Sequence, residues 1–381
     1  MSVELACHLC GSPELEIAND FAALKRVTSD CKPWPAGGML ALCRKCGLAQ
    51  APATGHWREE AAQIYREYTI YHQSGGAEQS VFNKPTIRGS PRSDAILAAM
   101  AARMSLPATG HLLDVGCGNG AFLRACSVAL PGWRLCGTEV SDKYRSAVEA
   151  IAGVEQMFAG DFSAVEGVFD VVSLVHVLEH IPAPQGVLRA AMVKLKPGGT
   201  LLIEVPDCVQ NPFMLLVADH CSHFSIDGLS ELVASTGYEV LHATNEWVSR
   251  EISLVGRAPA GGRAFRPARL PADQGSAILA GCHWIHKALQ QAEETARAGD
   301  PFGIFGTSIA GTWLQGQMDG AASFFVDEDQ NRVGRSHMGR PILSPAQLKH
   351  GSSVFVALPQ PDAGRVAERL RHPGVLVRSP A

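Results

Sequence analysis

A short apolar run, His111-Leu112-Leu113-Asp114-Val115, passes directly into Gly116-Cys117-Gly118-Asn119-Gly120 and then into the helix-forming stretch AFLRACSVAL. A buried strand, a glycine-rich turn and a helix in that order predict an open α/β sheet, whose ligand crevice lies where the carboxyl end of a strand meets a helix N-terminus. Glycine at the turn lets the backbone approach a ligand with no side chain in the way. The spacing departs from the dinucleotide fingerprint G-x-G-x-x-G, because position 121 is Ala121 and the third glycine arrives one residue early. Glu139 ends the next predicted strand, 19 residues past Gly120, where a carboxylate accepts hydrogen bonds from both hydroxyls of a ribose. Asp161 and Phe162 come near the end of the third predicted strand, placed for an adenine amino group and ring face.

The same alternation continues. Strands are predicted at 133–139, 169–174 and 200–205, with helices at 94–104 and 181–195 between or before them. Strand–helix alternation at this spacing predicts a parallel sheet covered on both faces. The stretch RAPAGGRAFRPARLPA, residues 257–272, is rich in Pro, Gly, Ala and Arg and reads as a linker. A helix, the strand-like PFGIFG, and the runs ASFFVDED and SSVFVALP then form a second, shorter α/β unit. The expected organisation is a cysteine ribbon over 1–60, a helical connector over 61–105, a core with a substrate insertion over 106–256, and a C-terminal α/β domain over 273–381.

The ribbon is expected because Cys7-His8-Leu9-Cys10-Gly11 and Cys43-Arg44-Lys45-Cys46-Gly47 are two C-x-x-C pairs, each followed by glycine. Such pairs aim four thiolates at one point and suit tetrahedral Zn2+ in a closed, structural site. An arm this short buries little apolar surface, so the metal would hold its fold. Cys31, between the pairs, reads as a spare core thiol.

Composition narrows the function classes. The 381 residues are 46% hydrophobic and 18% charged, which suits packed cores. A formal net charge of -4 lacks the basic excess of a protein made to grip nucleic acid. No apolar run is long enough to span a membrane, and MSVELACHLCGSPELE lacks the profile of a signal peptide, so the expected location is the cytoplasm with eleven reduced cysteines.

Taken together, LLDVGCGNGAF, the strand-end Glu139, GDF, FDVVSLVHVLEHI and LKPGGTLLIEVP resemble the successive motifs of class I S-adenosylmethionine-dependent methyltransferases. The resemblance implies a Rossmann-like core with Asp114, Gly116, Gly118 and Gly120 around the methionine part of S-adenosylmethionine. It implies Glu139 on the ribose, Asp161 and Phe162 flanking the adenine, and His176 at the strand end lining the cofactor. The altered glycine spacing disfavours a nicotinamide cofactor. A cysteine arm, this core and a C-terminal α/β unit containing FGTSIAGTWLQGQM and FFVDEDQNRVGR further resemble the sugar C-methyltransferases. That implies a nucleotide-linked deoxy-keto sugar as acceptor, while the charge balance and the lack of a long apolar run lead to the expectation of no nucleic-acid and no membrane partner.

Methylating a carbon next to a ketone requires a general base and a group that stabilises the enolate. Histidine suits both tasks near neutral pH. The resemblance carries these roles to His180 and to the Asp219-His220 pair. In this reading Asp219 orients His220 as the base and His180 contacts the substrate oxygen. The family's N-terminal active-site tyrosine matches Tyr68 or Tyr71, while the tyrosine two residues ahead of the acid is replaced by Val217. Methylation of a hydroxyl, methylation of a nucleic-acid base and a non-catalytic cofactor-binding scaffold stand as the alternatives.

Overall fold

The computed structural model describes residues 5–78, 80–81, 89–261, 265–299 and 301–381. Short strands Leu15–Ile17, Ala41–Cys43 and Ala49–Gln50 make an antiparallel ribbon, and a fourth strand, Ser222–His223, joins its edge from the middle of the chain. There Ser222 pairs with Gln50 and His223 with Ala49. The arm is thus sewn into the expected substrate insertion. Helix α1 (Gly55–Glu67) begins inside the stretch expected as ribbon, because the Thr54 side chain caps it by accepting a bond from the Trp57 amide. Helix α2 (Arg92–Ala101) starts two residues earlier than its predicted span. Positions 79 and 82–88 of the expected connector lie outside the described residues.

The core sheet holds β1 (His111–Val115), β2 (Arg134–Glu139), β3 (Val154–Ala159), β4 (Phe169–Val175), β5 (Leu195–Pro206), β6 (Glu239–Thr244) and β7 (Glu251–Arg257). Their order is β3-β2-β1-β4-β5-β7-β6. Strands β1 to β5 are mutually parallel, with α3 (Ala121–Ala129), α4 (Arg145–Glu149) and α5 (Pro184–Lys194) in their crossovers. The expected strands are parallel as predicted, and the sheet gains two further strands, of which β7 runs antiparallel to both β5 and β6. The connection from Thr244 to Glu251 is too short for a crossover, which needs a dozen or more residues, so the chain must reverse. Helix α6 (Ile226–Ser235), capped by the Ser225 hydroxyl, packs on β6 and β7.

The expected linker is another correction. Over residues 265–271 it is fastened to the core: Ala268 and Leu270 are buried, the Leu270 amide donates to the Cys46 carbonyl at 2.7 Å, and Arg266 pairs with Glu231. Its composition signals the absence of regular structure, not the absence of contacts.

Helix α7 (Ala272–Ala298) leads into a second sheet of β8 (Phe302–Phe305), β9 (Phe324–Val326), β10 (Ser336–His337), β11 (Arg340–Leu343), β12 (Ser353–Val356) and β13 (Leu376–Arg378), ordered β10-β11-β9-β8-β12-β13. Helix α8 (Ile309–Gln317) follows β8, and α9 (Asp362–Arg369) follows β12. One apolar cluster contains Phe21 and Leu24 of the arm, Phe213 and Leu216 of the insertion, and Trp313 and Phe325 of the C-terminal unit. These segments therefore share a core. Among the described residues no helix is long and apolar enough to cross a membrane.

Burial also sets an acid limit. His220, His223 and His337 are almost wholly buried, and desolvation lowers their pKa, to about 3 for His223 and about 4 for His337. The unfolded chain takes up protons on these side chains below about pH 6.5 while the folded chain does not, so stability falls as pH falls from there toward the folded values. Each such histidine costs about 1.4 kcal/mol per pH unit in that window. A melting temperature followed from pH 7 to pH 4.5 is expected to drop steeply, and His337→Gln to flatten the slope; a flat profile would contradict neutral burial.

Candidate active site

A cavity of about 1350 Å³ opens at the carboxyl ends of the core strands and runs to the mouth of the C-terminal sheet. Pockets for one small ligand hold roughly 300–1,000 Å³, so this one has room for two.

At its core end, Gly116 (φ 72°) and Gly118 (φ 53°) hold left-handed backbone. A Cβ on Gly116 would stand 2.5 Å from Val177 Cγ2, and one on Gly118 2.6 Å from Ile70 Cδ1. Both therefore need glycine, and they leave a cradle that side chains would fill. Gly120 caps α3 one residue behind the wall. The Gly118 amide donates to Glu139 Oε2 at 3.0 Å and the Val140 amide to Oε1 at 2.8 Å, which fixes the carboxylate at the end of β2. Asp114 is buried, accepts from the Ser173 hydroxyl at 2.7 Å, and is pushed up to about 7 by desolvation. A cradle free of side chains, a fixed strand-end carboxylate and a buried acid fit an amino-acid nucleoside such as S-adenosylmethionine. The cavity wall does not include Asp161 or Phe162. Strand β3 ends at Ala159, Gly160 turns the chain (φ 106°), Asp161 caps a short turn through the Ser163 amide, and Phe162 packs against the core.

His176 sits on the wall with left-handed backbone (φ 54°), its imidazole held between Glu179 (3.2 Å) and Glu251 (3.0 Å). Burial and Arg92 pull its pKa down, but the two carboxylates outweigh them and hold it at about 9. It is an imidazolium at neutral pH.

The second group of histidines corrects the expected pairing. Asp219 does not orient His220. Its carboxylate accepts from the Ser29 amide at 2.9 Å and the Ser29 hydroxyl at 2.5 Å, and faces His180 Nδ1 at 3.4 Å. Neighbours in the chain point apart, and the arm residue Ser29 turns the carboxylate toward His180. The Asp219 carbonyl (3.1 Å) and the Tyr65 hydroxyl oxygen (3.0 Å) also surround Nδ1. Three oxygens around Nδ1 make it the protonated nitrogen and leave the lone pair on Nε2. Burial opposes a charge on His180, but Asp219 prevails and raises its pKa. Burial raises Asp219 too, yet His180 and Ser29 bring it to about 2. His220 meets His180 edge-on with ring centroids 4.6 Å apart, and burial with the His180 charge drives its pKa far down.

Tyr65 was missed by the sequence reading, which offered Tyr68 and Tyr71. Both of those line the cavity, with burial raising their hydroxyl pKa, to about 12 for Tyr71. The available signal was spacing: Tyr65 and Tyr68 are three apart, so they share one face at the end of α1, ring centroids 6.2 Å apart.

Away from the cavity, the sulfur atoms of Cys7, Cys10, Cys43 and Cys46 all lie within 4.8 Å of one another. Cys7 and Cys46 are 3.5 Å apart, and Cys10 and Cys43 3.6 Å. In a tetrahedron with metal–sulfur bonds of about 2.3 Å the sulfurs stand about 3.8 Å apart, so the donors fit Zn2+. Gly11 and Gly47 take positive φ and close each turn by donating to the Cys7 and Cys43 carbonyls. Cys31 is buried at the cavity wall, apart from these four.

Replacing Glu139 by Gln should weaken S-adenosylmethionine binding about 10- to 100-fold, the worth of charge-assisted bonds of about 1.5–3 kcal/mol. Calorimetry checks this, and unchanged affinity would remove the ribose role.

Residues 91–243 match the family described as "Methyltransferase domain". The ubiquinone biosynthesis O-methyltransferase of Bordetella bronchiseptica is 32% identical over 117 residues, 28% of this chain and 46% of that one. The enzyme of the same name from Xanthomonas campestris pv. campestris is 32% identical over 128 residues, 31% of this chain and 52% of that one. The chain thus spans about half the length of the curated relatives it matches. A methyltransferase of calicheamicin biosynthesis, solved with SAH bound, is 21% identical over 44% of this chain and 54% of that one, with a TM-score of 0.36. Residues 91–243 are thus similar to a methyltransferase domain, and they lie between a cysteine ribbon and a second α/β unit.

Proposed function

We propose that the chain methylates a small polar metabolite, and specifically a carbon beside the ketone of a nucleotide-linked deoxy-keto sugar. The observation that carries this reading is the cavity itself: it joins a nucleoside cradle to the His180 and His220 imidazoles and continues to the C-terminal unit, leaving space for a second bulky ligand. When bound, S-adenosylmethionine supplies a methyl group on a cationic sulfur. Gly116, Gly118 and Glu139 hold the donor. His180, its Nδ1–H directed to Asp219, accepts the proton α to the ketone at Nε2. His220, kept neutral by burial, donates a hydrogen bond to the oxygen where charge builds up. Two imidazoles whose surroundings push their pKa values apart are suited to separate base and electrophile roles. The proposed roles are thus exchanged relative to the sequence reading, because the carboxylate that strengthens an imidazole as a base belongs to His180. Zn2+ held by Cys7, Cys10, Cys43 and Cys46 is assigned a structural role.

O-methylation is the second reading, favoured by the O-methyltransferase names of the curated relatives. One experiment separates the two. In D2O, with S-adenosylhomocysteine in place of the donor, the enzyme is expected to exchange the α-proton of a nucleotide-linked 4-keto-6-deoxy sugar for deuterium. With donor present, mass spectrometry is expected to locate the new methyl on carbon. No exchange together with a methyl ether would establish the second reading, and no methylation across a panel of such sugars would remove the sugar assignment.

A further inference from the structure

A second set of convergent donors lies outside the active site, at the opposite end of the core sheet. His111 opens β1, Cys136 is in β2, and Glu155 follows the first residue of β3. His111 Nε2 is 3.4 Å from Cys136 Sγ and 3.7 Å from Glu155 Oε2, and all three donor atoms fall within 4.8 Å of one another. In a tetrahedral zinc site with bonds of about 2.3 Å to sulfur and about 2.0 Å to nitrogen, neighbouring donors stand about 3.5 Å apart. The two distances from His111 lie close to that value.

Two features show the trio is held in place. Val154 pairs with Leu135 and Gln156 with Cys136, so Glu155 is the extra residue of a β-bulge, a device that re-aims a side chain. Arg134 then grips the carboxylate from the solvent side, Nε to Oε1 at 2.7 Å and Nη2 to Oε2 at 2.9 Å. Metal-binding carboxylates are commonly supported by such an outer hydrogen bond. Cys136 is buried, whereas Glu155 is exposed, which leaves one face of the cluster to water.

We propose that His111, Cys136 and Glu155 form a second metal site, for a borderline divalent transition ion such as Zn2+ or Co2+ with water as its fourth ligand. One nitrogen, one sulfur and one carboxylate oxygen suit such ions and disfavour Mg2+ and Ca2+, which take oxygen. The ion would clamp the amino ends of three adjacent strands whose carboxyl ends carry the glycine turn and Glu139. The trio Glu179, His180 and His220 also converges, but those groups belong to the active site.

The test is metal stoichiometry of the full chain after equilibrium dialysis against buffered Zn2+. The wild type is expected to hold two equivalents, one in the ribbon and one here. His111→Gln and Glu155→Gln are each expected to hold one, with unchanged far-UV circular dichroism. On loading with Co2+, the part of the thiolate-to-cobalt absorption that Cys136→Ser removes should be small, since one sulfur contributes. A wild type with one equivalent, or variants that keep two, would overturn the proposal. Neither result depends on the methyl acceptor, so the proposed function can stand or fall separately.

Discussion

Replacing Asp219 by Asn is expected to lower kcat by about 10²- to 10⁴-fold, the range that a positioned general base contributes. The substitution keeps the shape and can still accept from the Ser29 amide, but it removes the charge beside His180. That charge outweighs the desolvation of the imidazole and raises its pKa. Without it burial is opposed by the Glu179 charge and the backbone carbonyl of residue 219 only, and the pKa falls. The sign for activity follows from the base being active when unprotonated: in the wild type, turnover should rise with pH through an apparent pKa above 6.5. In the Asn variant the same limb should move to lower pH while the plateau drops. S-adenosylmethionine affinity should hold, because Glu139 and the glycine cradle make no contact with Asp219. A variant that turns over within threefold of wild type, or whose acid limb does not move, would take the base role from His180.

That prediction depends on a contact between Asp219 and His180 where chain order points to His220, and the reason is physical. The strand at 111–115, its glycine turn and the helix after it are local, so propensity and spacing place them; the helix begins at Ala121 and ends one residue short of its expected span. Glu139 follows from strand length in the same way. The partner of Asp219 is not local, since it depends on Ser29, 190 positions earlier, arriving from the cysteine arm. Chain adjacency suggested His220, and tertiary packing selected His180. Tyr65 was hidden for the same reason: it lies in the expected helical connector over 61–105, and only its contact with His180, 115 positions later, marks it out. Residues 265–271 show the limit of composition, since a run rich in Pro, Ala and Arg buries Leu270 through a backbone bond to Cys46. The reversal of β7 was in principle legible, because the short connection from β6 forbids a crossover.

The Leu270 bond leads to the other large effect. Cys43→Ser is expected to lower the zinc content by one equivalent and to disrupt the arm and the acceptor site together. A structural zinc contributes an apparent 10–16 kcal/mol in small domains, about the whole stability of a typical folded chain at 5–15 kcal/mol. Losing one thiolate leaves three ligands and an open position. The cysteine end of the ribbon has short strands of two or three residues, and Cys7, Cys43, Cys46 and Leu48 provide its share of the core cluster, while Phe21, Leu24 and Leu40 anchor the middle of the arm to the C-terminal unit. Its connections reach the active site within a few residues. Gln50 pairs with Ser222, and His8 Nε2 lies 3.0 Å from the Ser222 hydroxyl, two positions from His220. Ser29, which holds Asp219, belongs to the same arm. The variant should therefore lose methyl transfer while any folded fraction still binds S-adenosylmethionine through β1 and β2. Limited proteolysis should cut first between residues 10 and 50, and calorimetry with the donor should separate loss of the arm from loss of the core. If the variant kept wild-type turnover after shedding its zinc, the ribbon would be dispensable for catalysis, and the placement of Asp219 would rest on the core alone.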